Sequence, residues 1–187
     1  MDVIDGSAVL ARAQGGDNEA FRALVEQHSR RVFQLAFRMT GNEQDAEDVV
    51  QESFLRAYKQ LGRFEARANF GTWLYRIVAN CAIDAIRARK SRQGQVTGEP
   101  GEQILADAHT PGPNPERLAS SGEMRRQVVS ALDGLSALER AAFTLRHFEG
   151  RSIDEIGRTL NLNTSATKHS IFRAVKKLRT VLEPLRS

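Results

Sequence analysis

Five carboxylates crowd into ten residues: Glu43, Asp45, Glu47, Asp48 and Glu52, with Gln51 among them. On a helix Asp48, Gln51 and Glu52 stand at i, i+3 and i+4 and so share one outward face. Three kinds of chemistry suit such a face. Glu43 and Asp45 complement the positive N-terminal end of the helix that they begin. A divalent cation for nuclease chemistry would need ligands from several elements, and no inward histidine accompanies the cluster. A basic partner surface could dock on it. Spacing alone does not separate docking from simple solvation.

A second group lies near the C-terminus, where Ser165, Lys168, His169, Arg173, Lys176 and Lys177 fall on the outer side of a helix whose inner stripe is Ile171, Ala174, Val175, Leu178 and Leu182. Short polar side chains at the start of a helix can approach base edges, and cations further along neutralise phosphates. Ser165 and Lys168 suit the first role, and Arg173, Lys176 and Lys177 the second. A third group is the segment Arg63, Phe64, Arg67 and Asn69, where an aromatic between cations can either stack an unpaired base or tuck beneath its loop as core. Trp73 lies on an apolar stripe, whereas Arg76, Asn80 and Arg87 fall off it and can line an exposed face. Catalysis finds little: the four histidines (28, 109, 147, 169) are scattered, and no Gly-rich phosphate loop or nucleophile–base spacing occurs. His28 and Cys81 sit on apolar faces and read as core.

The elements that must position these groups are helices. From the cap Asp17, apolar residues recur as Phe21, Leu24, Val25, His28, Val32, Leu35, Ala36 and Met39, one face of a long helix ended by Gly41-Asn42. A second runs from Glu43 to Leu61 with Ala46, Val49, Val50, Phe54, Ala57, Tyr58 and Leu61 inward, and Gly62 ends it. A third begins near Phe70 and carries Trp73, Leu74, Ile77, Val78, Cys81, Ala85 and Ile86. Between about Ala88 and Pro115 the periodicity vanishes into Gly94, Gly98, Pro100, Gly101, Pro111, Gly112, Pro113 and Pro115, the composition of a flexible linker. After it, Met124, Val128, Val129 and Leu132 outline a helix. Two S-x-x-E capping boxes, at Ser136 and Ser152, then open two more. The first has Leu138, Ala142, Leu145 and Phe148 inward and Gly150 at its close. The second runs through Ile156 and Leu160. A three-residue turn, Asn161 to Asn163, leads into the basic helix, completing a helix-turn-helix pattern. The expected fold is all-α: two small helical domains, 1–90 and 119–187, joined by a linker over 91–118.

Composition agrees. The 187 residues carry a net charge of +4, but from residue 121 onward twelve Lys/Arg face seven Asp/Glu, a local +5, whereas residues 1–90 carry only +1. The positive end can meet phosphates. No apolar run is long enough to cross a membrane, the first twenty residues lack a secretory h-region, and the single cysteine excludes an internal disulfide. These features fit a cytoplasmic protein.

Residues 45–58 (DAEDVVQESFLRAY), then Phe64, then residues 70–80 (FGTWLYRIVAN) resemble region two of the extracytoplasmic-function (ECF) sigma factors of the sigma-70 family. Residues 152–156 (SIDEI) through 171–179 (IFRAVKKLR) resemble region four. The resemblance implies a non-enzymatic subunit that binds core RNA polymerase and directs it to promoter DNA, with no cofactor, metal, catalytic residue or small-molecule substrate. It implies that the D-x-x-D-x-x-Q-E helix, Asp45, Asp48, Gln51 and Glu52, docks on the β′ clamp helices. Arg63, Phe64, Arg67 and Asn69 in the loop, with Arg76, Asn80 and Arg87, would capture an extruded base of the minus-ten element, at an unstacking cost of a few kcal/mol. Thr164, Ser165, Thr167, Lys168, His169, Arg173, Lys176 and Lys177 would serve the minus-thirty-five element, with the same unit touching the β flap. The linker would thread toward the active-site cleft, and an anti-sigma factor would be a further partner. Two departures stand out: residues 165–170 read S-A-T-K-H-S where the family often shows G-T-V-K/R-S-R, and Gly157 replaces the usual alanine, which should weaken its helix by about 1 kcal/mol. The rival reading is a stand-alone helix-turn-helix regulator whose N-terminal domain senses a ligand or dimerises.

Overall fold

Each helix starts where a short polar side chain can accept the amide protons left unpaired at its first turn. In the computed structural model, which describes residues 6–65, 69–94 and 130–183, Asp17 Oδ1 accepts from the Glu19 and Ala20 amides at the start of α2, Asn18–Thr40. Gly41 ends α2 at φ 80°, a left-handed conformation that costs glycine little. Asn42 immediately caps α3, Glu43–Gln60, by accepting from the Asp45 amide at 2.7 Å. A short 3-10 turn, Leu61–Arg63, follows. Asn69 then caps α4, Phe70–Arg92. These three long helices pack on one another through Leu24, Val32, Leu35, Met39, Val49, Phe54, Leu74, Val78 and Ile86, all buried.

An additional helix, α1 (Gly6–Gln14), precedes them and was not expected. Its apolar contribution is only Val9, Leu10 and Ala13, too few to set a period, yet they pack against the core. An ion pair from Arg12 to the cap residue Asp17 (2.6 Å) fixes the α1–α2 corner. Helix α4 also runs to Arg92, past the expected loss of periodicity at Ala88. Arg89, Lys90 and Arg92 favour the negative C-terminal end of the helix, and Lys90 is buried against the chain's second half.

There, helical residues 130–133 lead to α5 (Ala137–His147), α6 (Ile153–Leu160) and α7 (Thr164–Leu182). Both capping boxes form, each serine accepting from the glutamate amide while the glutamate carboxylate accepts from the serine amide. Residues 95–118 of the expected linker, with Met124, Val128 and Val129, lie outside the described residues. Among the described residues there is no strand, and no helix is long and apolar enough to cross a membrane.

Two residues expected to face inward do not. Phe148 is 54% exposed, because α5 stops at His147 and the chain turns away before Gly150. Tyr58 is 47% exposed, its ring resting edge-on against Phe21 and its hydroxyl bonded to Asn18 Oδ1.

The two helical units also touch. Ala137, Ala141, Ala142, Leu145, Ile156 and Leu160 join the same buried cluster as α2 to α4. Polar contacts ring that seam. Lys90 Nζ donates to the carbonyls of Asp133 and Leu135. Arg89 and Arg140 both donate to Asp133 Oδ1 at 2.9 Å, and Arg38 pairs with Glu149 while its guanidinium lies 5.6 Å from the Phe148 ring. Arg140 is wholly buried, lying so close over Gly41 that a Cβ there would meet Nη2 at 2.4 Å. Gly41 thus takes a φ that favours glycine, and a side chain there would also have to displace the Arg140 guanidinium.

Candidate nucleic-acid and partner interfaces

Helix α3 carries the acidic face. Ala46, Val49 and Phe54 bury its inner side, which leaves Asp48 and Gln51 exposed and Glu52 half-exposed. Glu52 accepts from Arg56 Nε at 2.6 Å, one turn on, and Arg56 reaches Asp84 of α4 at 3.3 Å. These contacts hold the Arg56 pKa above its ordinary value, the Glu52 hydrogen bond being the main cause. Asp45 behaves differently from its neighbours. Its Oδ2 accepts from Asn42 Nδ2 at 2.6 Å and Arg89 Nη1 at 3.1 Å, and Arg89 also bonds the Thr40 carbonyl. It therefore locks the α2–α3 corner to α4, and the outward acidic face is formed by Asp48, Gln51 and Glu52. Among the described residues no group of three His, Cys, Asp or Glu side chains is placed to hold a metal ion.

The loop after α3 resolves the two readings of Phe64. Its side chain is 7% exposed, and its ring lies 6.0 Å from Phe70 and 4.9 Å from Trp73, centroid to centroid. Phe64 is core, and Trp73 is half-buried in the same cluster. Arg63 and Asn69 flank it, both exposed, with Asn69 Oδ1 occupied by the Gly71 amide at 2.8 Å. Arg67 lies outside the described residues. On α4, Arg76, Asn80 and Arg87 are exposed, as their place off the apolar stripe required, and Asn80 Nδ2 donates back to the Arg76 carbonyl. The structure thus brings Arg63 and Asn69 to the rim of the aromatic cluster and arrays Arg76, Asn80 and Arg87 along the neighbouring helix.

Against that cluster His28 packs on Phe70 with the rings tilted at 59° and centroids 5.3 Å apart, and burial lowers its pKa, with the Arg31 charge a smaller cause. Cys81 is buried beside Ser53, and burial raises its thiol pKa. That leaves the thiol without the thiolate character that reactivity needs.

In the second unit the turn between α6 and α7 aims the basic helix. Asn161 takes a left-handed conformation at φ 55°, which asparagine tolerates, and the Leu162 amide donates to the Gly157 carbonyl at 2.8 Å. Asn163 caps α7 by accepting from the Ala166 amide. Thr164, Ser165, Lys168 and His169 stand exposed on its first turns. Thr167 does not: it is fully buried, its hydroxyl donating to the Asn163 carbonyl at 2.9 Å. Its side chain packs the turn. Further along, Lys176 is exposed, while Lys177 and Arg173 lean toward Glu139 of α5 at 2.7 and 3.7 Å. The capping-box glutamate thus also anchors two cations of the basic helix, a connection that helical spacing could not reveal.

This geometry has known counterparts. The profile for Sigma-70 region 2 matches residues 24–92, and that for Sigma-70 region 4 matches residues 125–178. The chain is 32% identical over 179 residues to the ECF RNA polymerase sigma factor SigW of Bacillus subtilis, covering 94% of this chain and 96% of that protein. It is 34% identical to the RNA polymerase sigma-H factor of Pseudomonas aeruginosa, over 95% and 93% of the two chains. Among solved structures it is similar to CnrH, determined in complex with the cytosolic domain of CnrY, with a TM-score of 0.64, 26% identity, and coverage of 95% and 96%. The fold also resembles RpoE of Bartonella quintana, solved with the anti-sigma factor NepR, at a TM-score of 0.60, 21% identity, and coverage of 87% and 96%. Region 2 in α2 to α4, region 4 in the helix-turn-helix, and relatives matched along nearly their whole length lead to one assignment: the chain belongs to the ECF family of sigma-70-type RNA polymerase sigma factors.

Proposed function

We propose that this chain directs core RNA polymerase to promoters and opens them with the residues described above. Asp48, Gln51 and Glu52 form the face that meets the polymerase β′ clamp helices, while Asp45 serves the fold. Arg63, Arg67, Asn69, Arg76, Asn80 and Arg87 engage the minus-ten element, with Phe64 as the buried core residue beside Arg63. Thr164, Ser165, Lys168 and His169 enter the major groove at the minus-thirty-five element, and Arg173, Lys176 and Lys177 face phosphates. The observation that carries this reading is the segregation of charge on matched elements: an exposed acidic face on α3, and cations with short polar groups at the capped start of α7.

The chain acts as a specificity subunit and not as an enzyme, in the cytoplasm with the polymerase. An anti-sigma protein is its expected regulator, because CnrH and the Bartonella RpoE were both solved with a partner protein. The test is run-off transcription by purified bacterial core polymerase on a pool of promoter fragments, with wild type and Asp48→Arg. Wild type should yield discrete transcripts that depend on the protein. Asp48→Arg should lose at least tenfold in polymerase affinity with unchanged helicity. Unchanged affinity would remove the docking assignment, and duplex binding without polymerase would point to a stand-alone regulator.

A further inference from the structure

Gln14, the last residue of α1, is engaged in a way that neither its helix nor the region 2 match accounts for, since that match begins at residue 24. Its side-chain Nε2 donates to two backbone carbonyls nearly fifty residues away, Leu61 O at 3.1 Å and Phe64 O at 2.7 Å. Those carbonyls bracket the 3-10 turn, Leu61–Arg63, from which the base-capturing loop departs. The Phe64 amide already bonds the Leu61 carbonyl across the turn, so one carboxamide closes the turn's two ends together. The helix that carries Gln14 is held in its turn, by Ala13 in the core and by the Arg12–Asp17 ion pair.

We infer that Gln14 is a positioning residue for promoter opening, acting through the Leu61 and Phe64 carbonyls on the stem of the minus-ten loop. An unanchored stem must be ordered when it captures a base, and the ordering entropy is subtracted from binding. A carboxamide that orders the stem in advance removes that cost at the flipping step, while Gln14 bonds neither Asp48, Gln51 and Glu52 on α3 nor the helix-turn-helix. This inference rests on the minus-ten assignment above. Two neutral hydrogen bonds are of the size to change opening by about tenfold, equivalent to about 1.4 kcal/mol.

The experiment uses the full chain assembled with core polymerase, on a responsive promoter whose minus-ten bases are replaced singly by 2-aminopurine, so that unstacking is read as fluorescence. Gln14→Glu keeps shape but removes both donors, and Gln14→Leu keeps bulk alone. Both should lower the rate and amplitude of the fluorescence rise about tenfold, with polymerase affinity within error of wild type and helix content unchanged at the assay temperature. A wild-type rise in both variants, or polymerase affinity falling in parallel with opening, would overturn the inference. Asn80→Ala is measured beside them. If it suppresses the rise and the Gln14 variants do not, the Gln14 role alone fails; if none of the three does, the minus-ten reading fails with it.

Discussion

Gly157 shows how a residue's meaning depends on its neighbours. By helix propensity alone, alanine in the middle of α6 should be better by about 1 kcal/mol. A Cβ at this position, however, would lie 2.8 Å from the Leu162 carbonyl oxygen and 3.2 Å from Thr167 Oγ1. The first is backbone, fixed by the hydrogen bond that returns Leu162 to Gly157, so it cannot swing aside. The turn of the helix-turn-helix closes over a glycine because nothing larger fits. Gly157→Ala should therefore destabilise the chain by up to about 2 kcal/mol, the roughly 1–3 kcal/mol of overpacking less the propensity gain of about 1 kcal/mol. Urea unfolding checks it, and a stabilised variant would mean that the turn relaxes freely. Nothing local in residues 153–160 signals the contact, because its other side comes from residues beyond a turn.

At the scale of elements, the seam between α2 and α4 contains a titratable group. His28 sits on the apolar stripe, and packing on Phe70 lowers its pKa from the ordinary 6.5, through burial first and Arg31 second. The unfolded chain takes up this proton near pH 6.5 and the folded chain only at lower pH. Between the two, the unfolded state binds more protons, so stability falls as pH drops from about 6.5. The carboxylates of Asp17 and Glu155, held below their ordinary 3.8 and 4.5 by hydrogen bonds at helix starts, lose their contribution only at still lower pH. Thermal melts at pH 7 and pH 5 should show a drop for wild type that is smaller in His28→Gln. Equal drops would place the acid sensitivity elsewhere. The helices themselves were readable in advance from caps and apolar spacing, and α2, α3 and the capping boxes at Ser136 and Ser152 form where those signals lie. Helix α1 was not readable, because three apolar residues stabilise it only through the neighbours that they meet.

At the scale of the molecule, the polar ring of the seam centres on Asp133, a side chain half open to solvent that accepts from both Arg89 and buried Arg140. Removing it leaves the Arg140 guanidinium, whose Nε and Nη2 already lack partners, buried with no acceptor at all among its described contacts. An uncompensated buried charge is among the costlier faults a fold can carry. The seam can relieve it by opening, which returns Arg140 to water. Asp133→Ala should lengthen and broaden the distance between dyes at positions 22 and 179, measured by energy transfer, with helix content unchanged. An unchanged distance would show that the shared apolar cluster holds the units together without its ionic ring.

What the sequence by itself determined is whatever depends on neighbours within a few turns: the helix type, the caps, the apolar stripes, the solvent-facing position of Asp48, Gln51, Arg76 and Asn80, and the basic start of α7. Each follows from a period of 3.6 residues and from amide protons that need acceptors. Tertiary structure decided what depends on residues far apart in the chain. It turned Phe64 into core between Phe70 and Trp73, buried Thr167 in the turn, drew Asp45 to Arg89, and tied Gln14 to the carbonyls of Leu61 and Phe64. A side chain's exposure and partners are set by whatever packs over it, and helical periodicity names the face of a helix without naming what that face meets.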